Sequence, residues 1–283
     1  MNEIKTIQAA GNAFKEYCTL DTKVCGGILF ENDGAMIVAK PFGLDKVFPD
    51  GTVEAFCDFS SLEDRKDYYF PSPFIWDMKY DSNNNILAAA QDRILKISSD
   101  GAVKTLIRED FNGFLGASGL ELDKEGNMYV LNGGAVYKYP PDLQKTLYLE
   151  SEEYNSFFSI AFSPDGKYLY LTDFFTKALV KYTLNPDGTL GEGKKIASEP
   201  VKNSGDFGAP LNIIFDQCGN AYTSIDGMGH ILMIDNDEKQ SLINMNVFVR
   251  NHIIAFGGKG FDQDSIYFTT YSDKVCRLKM GEA

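Results

Sequence analysis

The chain has 283 residues, of which 44% are hydrophobic and 13% aromatic, so it can bury a sizeable core. Its net charge is −13 and its basic residues are scattered, which disfavours nucleic acid or an anionic membrane as a partner. The N-terminal residues lack the pattern of a signal peptide, and no run approaches the roughly 20 apolar residues of a membrane span. The five cysteines form no CxxC pair, so we expect reduced thiols and a cytoplasmic location.

One sequence pattern recurs six times: a short apolar strand, a polar turn, and a second strand rich in Tyr and aliphatic residues. In chain order the copies begin at Gly26, Trp76, Ser118, Phe158, Leu211 and His252, with spacings of 50, 42, 40, 53 and 41 residues. The clearest copies are Ser118–Val130 and Phe158–Leu171. A unit of about 40–50 residues holds four short strands, which is the size of a propeller blade.

Further strands are predicted inside these units by alternation of apolar and polar residues, for example over Ile94–Ile97 and Ala135–Tyr139. Asp-Gly pairs fall between strand candidates, where hairpin turns need a positive φ. These pairs are Asp33-Gly34, Asp50-Gly51, Asp100-Gly101, Asp165-Gly166 and Asp187-Gly188. No long stretch has the 3.6-residue period of a helix. We therefore predict one all-β domain over residues 1–283, a six-bladed β-propeller with four antiparallel strands per blade.

The two ends of the chain are predicted to close the ring. Only five residues follow Leu278, too few for the outer strand of the last blade. We expect the N-terminal segment Ile4–Ile7 to supply that strand. Closure removes an exposed sheet edge that would otherwise invite association, so we expect a monomer.

Three parts of the repeat resemble the senescence marker protein/gluconolactonase/luciferin-regenerating enzyme family, which includes regucalcin. Phe162–Asp173 resembles the fourth blade of that family, and Asp216–Tyr222 resembles the fifth. Ala255–Lys259 with Ser265–Thr270 is similar to the last blade. The resemblance covers about residues 24–279 and implies lactone or phosphotriester hydrolysis at a divalent metal in the central tunnel. It also implies one Glu and a few Asn and Asp ligands at the starts of the innermost strands.

This chain departs from the family at the positions that match those ligands. Gly26 stands at the position of the Glu, Ser118 and Phe158 at those of the two Asn, and Leu211 at that of the Asp. A hard divalent cation needs several oxygen ligands, which Gly, Phe and Leu side chains do not supply. We therefore predict that the protein uses no metal and no other cofactor.

Apolar and aromatic residues replace the metal ligands. Those at or beside the strand starts are Phe74, Trp76, Phe114, Phe157, Phe158 and Leu211, with Tyr68, Tyr69, Phe70 and Tyr154 in the preceding loops. They either plug the tunnel or line a dry pocket for an apolar or aromatic small molecule. On the second interpretation the substrate-binding residues are Phe74, Trp76, Ser118, Phe157, Phe158, Leu211 and Asn212.

Two residues are candidates for acid–base catalysis. His252 begins the last copy of the repeat, and His titrates near neutral pH; the alternative is a hydrogen bond to a loop carbonyl. Asp77 adjoins Trp76, so burial would raise the pKa of its carboxyl; the alternative is a turn or an inter-blade hydrogen bond. Asp206 is a weaker candidate of the same kind.

Three functions stay open on the sequence alone. The first is a metal-independent enzyme that acts on an apolar or aromatic molecule through His252 and Asp77, as a cyclase, condensing enzyme or isomerase. The second is a lactone or ester hydrolase with a rebuilt site, and the third is a propeller that binds a small molecule without catalysis. The sequence favours an enzyme, by analogy with a fold whose relatives mostly do chemistry.

Overall fold

A computed structural model of the chain describes residues 4–9, 13–22, 25–62, 73–109, 111, 116–198, 200–201, 205, 207–245 and 251–280. These residues form 25 β-strands. The two N-terminal strands are β1 (Lys5–Gln8) and β2 (Phe14–Thr19). The remaining strands follow one another in groups that form the six blades of a propeller.

The first three blades each contain four antiparallel strands in sequence order. Blade one contains β3 (Ile28–Phe30), β4 (Met36–Lys40), β5 (Gly43–Val47) and β6 (Val53–Asp58). Blade two contains β7 (Asp77–Tyr80), β8 (Ile86–Ala90), β9 (Arg93–Ile97) and β10 (Val103–Arg108). Blade three contains β11 (Leu120–Leu122), β12 (Met128–Asn132), β13 (Ala135–Tyr139) and β14 (Thr146–Glu150).

The last three blades complete the ring. Blade four contains β15 (Phe157–Phe162), β16 (Tyr168–Asp173), β17 (Ala178–Leu184) and β18 (Leu190–Ser198). Blade five contains β19 (Pro210–Phe215), β20 (Ala221–Ile225), β21 (His230–Ile234) and β22 (Gln240–Asn244). Blade six contains β23 (Asn251–Phe256), β24 (Ser265–Thr270) and β25 (Lys274–Lys279). The predicted six-bladed β-propeller is confirmed.

The ring is closed by the N-terminal region, but by a different segment from the predicted one. β2 pairs with β25 and is the outer strand of blade six, with Phe14 opposite Leu278. The segment Ile4–Ile7, predicted for this role, instead overlaps β1, which pairs in parallel with β22 as a fifth strand of blade five. The prediction failed because Ile4–Ile7 and β2 both have enough strand character to extend a sheet, and the sequence alone does not set which edge each joins.

Burial along the strands follows from the packing of blades against one another. Every residue of β8, β20 and β24 is buried, because the second strand of a blade has a neighbouring blade on each face. Outer strands such as β6 contain only partly buried and exposed residues. The five Asp-Gly turns adopt the predicted positive φ, for example 106° at Gly34 and 69° at Gly166. No helix among the described residues is long and apolar enough to cross a membrane.

Candidate functional site

The centre of the ring is filled by apolar side chains where the innermost strands begin. Phe74, Trp76, Phe158 and Leu211 belong to one buried cluster, and we call these four residues the plug. The rings of Trp76 and Phe158 have centroids 5.7 Å apart, and those of Trp76 and Phe74 4.9 Å apart, both edge to face. Because Trp76 belongs to blade two and Phe158 to blade four, which are not neighbours, their contact crosses the tunnel axis.

The plug corresponds to the packing alternative of the sequence analysis. Trp76 is 1% exposed, Phe158 2% and Leu211 0%, so these side chains contact protein instead of lining an open mouth. Phe157, predicted beside them, is buried in a different cluster, between blades three and four with Tyr154. The assignment of Phe157 and the plug residues to substrate binding stays a prediction.

One residue further along the inner strands, polar side chains join neighbouring blades. Asn212 Oδ1 accepts a hydrogen bond from the Ile254 N–H, and its Nδ2 donates to the Ile254 carbonyl, each at 2.8 Å. Ser159 Oγ accepts from the Ile213 N–H at 3.1 Å, one blade boundary earlier. These bonds satisfy backbone groups at the inner edge of the next blade, which pairs with no further strand. Asn212 is therefore an inter-blade link, whatever else it contacts.

Ser118 has a similar structural bond. Its hydroxyl donates to the Phe157 carbonyl oxygen at 3.0 Å, which joins blade three to blade four. Ser118 is 2% exposed. Its predicted contact with substrate stays untested, and its hydroxyl is committed to the scaffold.

Asp77 makes an inter-blade bond and also belongs to a charged group. Its Oδ2 accepts from the Leu120 N–H at 3.2 Å, and its Oδ1 accepts from the Met78 N–H at 2.8 Å. The Lys79 Nζ lies 3.9 Å from Asp77 Oδ1 and 3.4 Å from Glu121 Oε2. We call Asp77, Lys79 and Glu121 the charged cluster. Its three side chains are 19%, 28% and 17% exposed, so each retains some contact with solvent.

Desolvation and mutual attraction act against each other in the charged cluster. Burial raises the pKa of the Asp77 carboxyl, against the opposing effects of the Lys79 ammonium and two backbone N–H groups. Burial likewise raises the pKa of Glu121, opposed chiefly by Lys79. Burial alone would lower the pKa of Lys79, but the two carboxylates outweigh it and raise that pKa. The ammonium thus stays charged, while the carboxyls are easier to protonate than free ones.

A cavity of about 280 Å³ lies beside the charged cluster. Its polar side chains are Asp77, Lys79, Ser159 and Asn212, and the rest of its lining comes from Ile28–Phe30, Met78, Ile213, Ile214 and Ile253–Phe256. None of the plug residues lines it, so the cavity occupies the tunnel beyond the plug, towards the ends of the inner strands. Its volume is close to the lower end of the range for small-molecule sites, which begins at about 300 Å³.

Several predicted residues lie wholly or partly outside the described part of the chain. His252 belongs to β23, but its side chain is not among those described. Tyr68, Tyr69, Phe70, Phe114 and Asp206 lie outside the described residues altogether. The proposed catalytic role of His252 therefore stays a prediction.

Lys79 and Glu121 are the residues that the sequence analysis missed. Both stand three residues after the start of a copy of the repeat, where the other copies have Leu29, Ala161, Ile214 and Ala255. A charged residue at a position that is otherwise apolar was the available signal. Comparison of the six copies position by position would have found it.

The residues at the family's metal-ligand positions do not suit a divalent cation. Phe158 and Leu211 carry no oxygen donor and are buried in the plug, and the Ser118 hydroxyl donates to a carbonyl. Among the described residues, no group of three His, Cys, Asp or Glu side chains is arranged to hold a metal. Among the described residues, Asp77, Ser118, Ser159 and Asn212 each form a hydrogen bond with a backbone group of a neighbouring blade.

Comparison with known protein families agrees with the observed fold. Residues 3–272 match the model of the SMP-30/gluconolactonase/LRE-like region. The chain belongs to this family. No curated protein sequence matches it. The resemblance stated from the sequence is confirmed at the level of the family.

Solved structures similar to this family member share its fold at low sequence identity. A gluconolactonase from Xanthomonas campestris is 17% identical, with a TM-score of 0.72 over 94% of this chain and 89% of that one. A luciferin-regenerating enzyme is 13% identical, with a TM-score of 0.71 over 94% of each chain. A calcium-binding regucalcin from Agrobacterium tumefaciens is 14% identical, with a TM-score of 0.71 over 98% and 95%.

Proposed function

We propose that the protein is a small-molecule enzyme that works by acid–base catalysis in the central cavity, with Asp77 as the group that moves the proton. The observation that carries this proposal is the position of Asp77, whose partly exposed carboxyl borders the cavity beside a lysine. Burial raises the pKa of this carboxyl, so it is protonated more easily near neutral pH than a free carboxyl is, which suits a proton-transfer group. Membership of a family named for gluconolactonase supports hydrolysis of a lactone or ester as the reaction.

The residues present can carry out that reaction without further groups. The Asp77 carboxylate accepts a proton from a water molecule as the water oxygen attacks the carbonyl carbon, and the carbonyl electron pair moves to its oxygen. Collapse of the intermediate breaks the bond to the alkoxy oxygen, which takes the proton back from Asp77. One ester and one water give one acid and one alcohol, and Asp77 ends as it began.

Other parts of the sequence interpretation stay predictions. No separate observation favours the cyclase, condensation or isomerase reactions over hydrolysis. An apolar or aromatic ligand, the catalytic role of His252, a cytoplasmic location and a monomeric state are likewise proposals. An absence of nucleic-acid and membrane partners belongs with them.

The proposal is tested with glucono-δ-lactone, δ-valerolactone and phenyl acetate as substrates for the wild-type protein and for Asp77→Asn. We expect Asp77→Asn to lower kcat about 10²- to 10⁴-fold with little change in KM, since general acid–base catalysis contributes about that much. Asp100→Asn, at an exposed turn, is the matched control and should leave kcat unchanged. Full activity in a folded Asp77→Asn protein, or no hydrolysis of any substrate by the wild type, would contradict the proposal.

A further inference from the structure

The three members of the charged cluster are not equally spaced. The Lys79 Nζ is nearer to Glu121 Oε2, at 3.4 Å, than to Asp77 Oδ1, at 3.9 Å. The second distance is too long for a hydrogen bond. Lys79 is thus drawn towards blade three and away from the carboxylate that precedes it on its own strand.

Glu121 is itself held in place by the backbone. Its Oε1 accepts from the Leu122 N–H at 2.9 Å, which leaves Oε2 directed to Lys79. Asp77 is fixed by the Leu120 and Met78 N–H groups. Both carboxylates are therefore anchored, and the long, flexible side chain of Lys79 is the element that can shift between them.

We propose that Glu121 is a positioning residue, whose carboxylate holds the Lys79 ammonium off Asp77 and directs it to the cavity. This inference rests on the proposed function, for which it supplies two requirements. First, the Asp77 carboxylate forms no close ion pair with Lys79, so it can accept a proton from a water molecule. Second, the Lys79 side chain, which is 28% exposed, lines the cavity where negative charge would develop on a carbonyl oxygen during attack.

Asp77 is surrounded by few other charges. Among the described residues, the charged side chain that lines the cavity beside Asp77 is Lys79, on its own strand, and Glu121 on β11 contacts that lysine. The facing strands β3, β15, β19 and β23 present Leu29, Ser159, Asn212 and Ile253 to the cavity. Beyond burial, the charge that acts on Asp77 is therefore chiefly that of Lys79, whose position depends on its contact with Glu121.

The test is a ¹³C NMR titration of the Asp77 carboxyl in the wild-type protein, in Glu121→Gln and in Glu238→Gln. The Asp77→Asn spectrum assigns the signal. Gln keeps the shape of Glu and the bond to the Leu122 N–H but loses the charge. We expect the pKa of Asp77 to fall by about one unit in Glu121→Gln, a tenfold change in its proton affinity, because a like charge is removed and Lys79 can approach.

Glu238 is the matched control. It also pairs with lysines, Lys181 and Lys194, and its replacement changes the net charge equally, but it lies on the outer part of blade five. Glu238→Gln should leave the titration of Asp77 unchanged. An unchanged titration in Glu121→Gln would overturn the positioning role. Lys79→Met gives a second measurement, in which the pKa of Asp77 should rise instead, and a fall or no change would equally overturn it.

Activity measurements separate this inference from the proposed function. If both hold, Glu121→Gln lowers kcat with KM retained, moves the acid limb of the pH–rate profile to lower pH, and is partly rescued by Glu121→Asp. Loss of turnover in Asp77→Asn with an unchanged Asp77 titration in Glu121→Gln would support the function and overturn the positioning role. The expected titration shift without any hydrolysis would support the electrostatic arrangement and overturn the function.

Discussion

Trp76 and Asp77 are consecutive residues of blade two, and their side chains enter opposite environments. Trp76 is 1% exposed and contacts Phe74 and Phe158 across the tunnel axis. The Asp77 side chain is 19% exposed and borders a cavity with Lys79. Successive side chains of a strand point to opposite faces. Trp76 therefore packs in the plug, while Asp77, one residue later, borders the cavity beside the charged cluster.

This difference indicates where chemistry can take place in the tunnel. The plug consists of buried apolar and aromatic side chains that pack against one another, and none of them lines the cavity. The charged cluster keeps ionisable groups at the wall of this cavity, with pKa values altered by burial. We therefore expect substitutions in the plug to affect chiefly stability and substitutions in the charged cluster to affect the proposed reaction.

The largest expected effect comes from the plug. Phe158→Ala removes a fully buried ring that contacts Trp76, and should lower the free energy of unfolding by about 3–5 kcal/mol. Urea unfolding followed by the fluorescence of Trp76, the single Trp of the chain, measures this directly. Phe175→Ala, in the same blade but 59% exposed, is the control and should change stability by less than about 0.5 kcal/mol. Equal effects of the two substitutions would show that the plug is not a packed core.

An intermediate effect is expected in the charged cluster. Lys79→Met leaves two partly buried carboxylates without a cation, and should lower the free energy of unfolding by about 2–3 kcal/mol at pH 8, below the range for fully buried pairs because the groups retain water. Burial raises the pKa of both carboxyls in the folded state, so protonation at low pH favours that state. The loss should thus shrink as pH falls from 8 towards 4.

The same measurements at several pH values include a control. Lys124→Met removes an ammonium that is 90% exposed, and should have little effect on stability at any pH. A loss in Lys79→Met that does not depend on pH would mean that the side chain acts through its packed methylene groups and not through its charge.

The fold could be predicted from the sequence because the repeat occurs six times. Each copy has the same order of strand, turn and strand. The faint copies that begin at Gly26 and His252 can therefore be recognised by alignment with the clear copies that begin at Ser118 and Phe158. The segment that closes the ring could not be assigned, since Ile4–Ile7 and Phe14–Thr19 occur once each and no repeat distinguishes them.

The site could be predicted only in part. Trp76, Phe158 and Leu211 were placed at the tunnel because they begin copies of the repeat, but periodicity does not show whether aromatics close a space or border it. The cluster depends on a contact between Lys79 in blade two and Glu121 in blade three, 42 residues apart. Only the spatial arrangement of the blades reveals that pair.

The smallest expected effect tests whether Asn212, predicted to bind substrate, is chiefly a link between blades. Asn212→Ala removes both hydrogen bonds to Ile254 and should lower the free energy of unfolding by about 1–2 kcal/mol, since each neutral bond contributes about 1 kcal/mol or less where water can replace it. Asn83→Ala, at an exposed turn, is the control and should lie within about 0.5 kcal/mol of wild type.

Chemical denaturation measures the stability change, and KM for any hydrolysed lactone measures the contribution to binding. A lower stability with KM retained would assign Asn212 to the scaffold, because both ends of its amide are then used by the backbone. A raised KM with stability retained would show that the amide releases Ile254 to contact substrate, and the functional region would extend from the charged cluster across the tunnel to blade five.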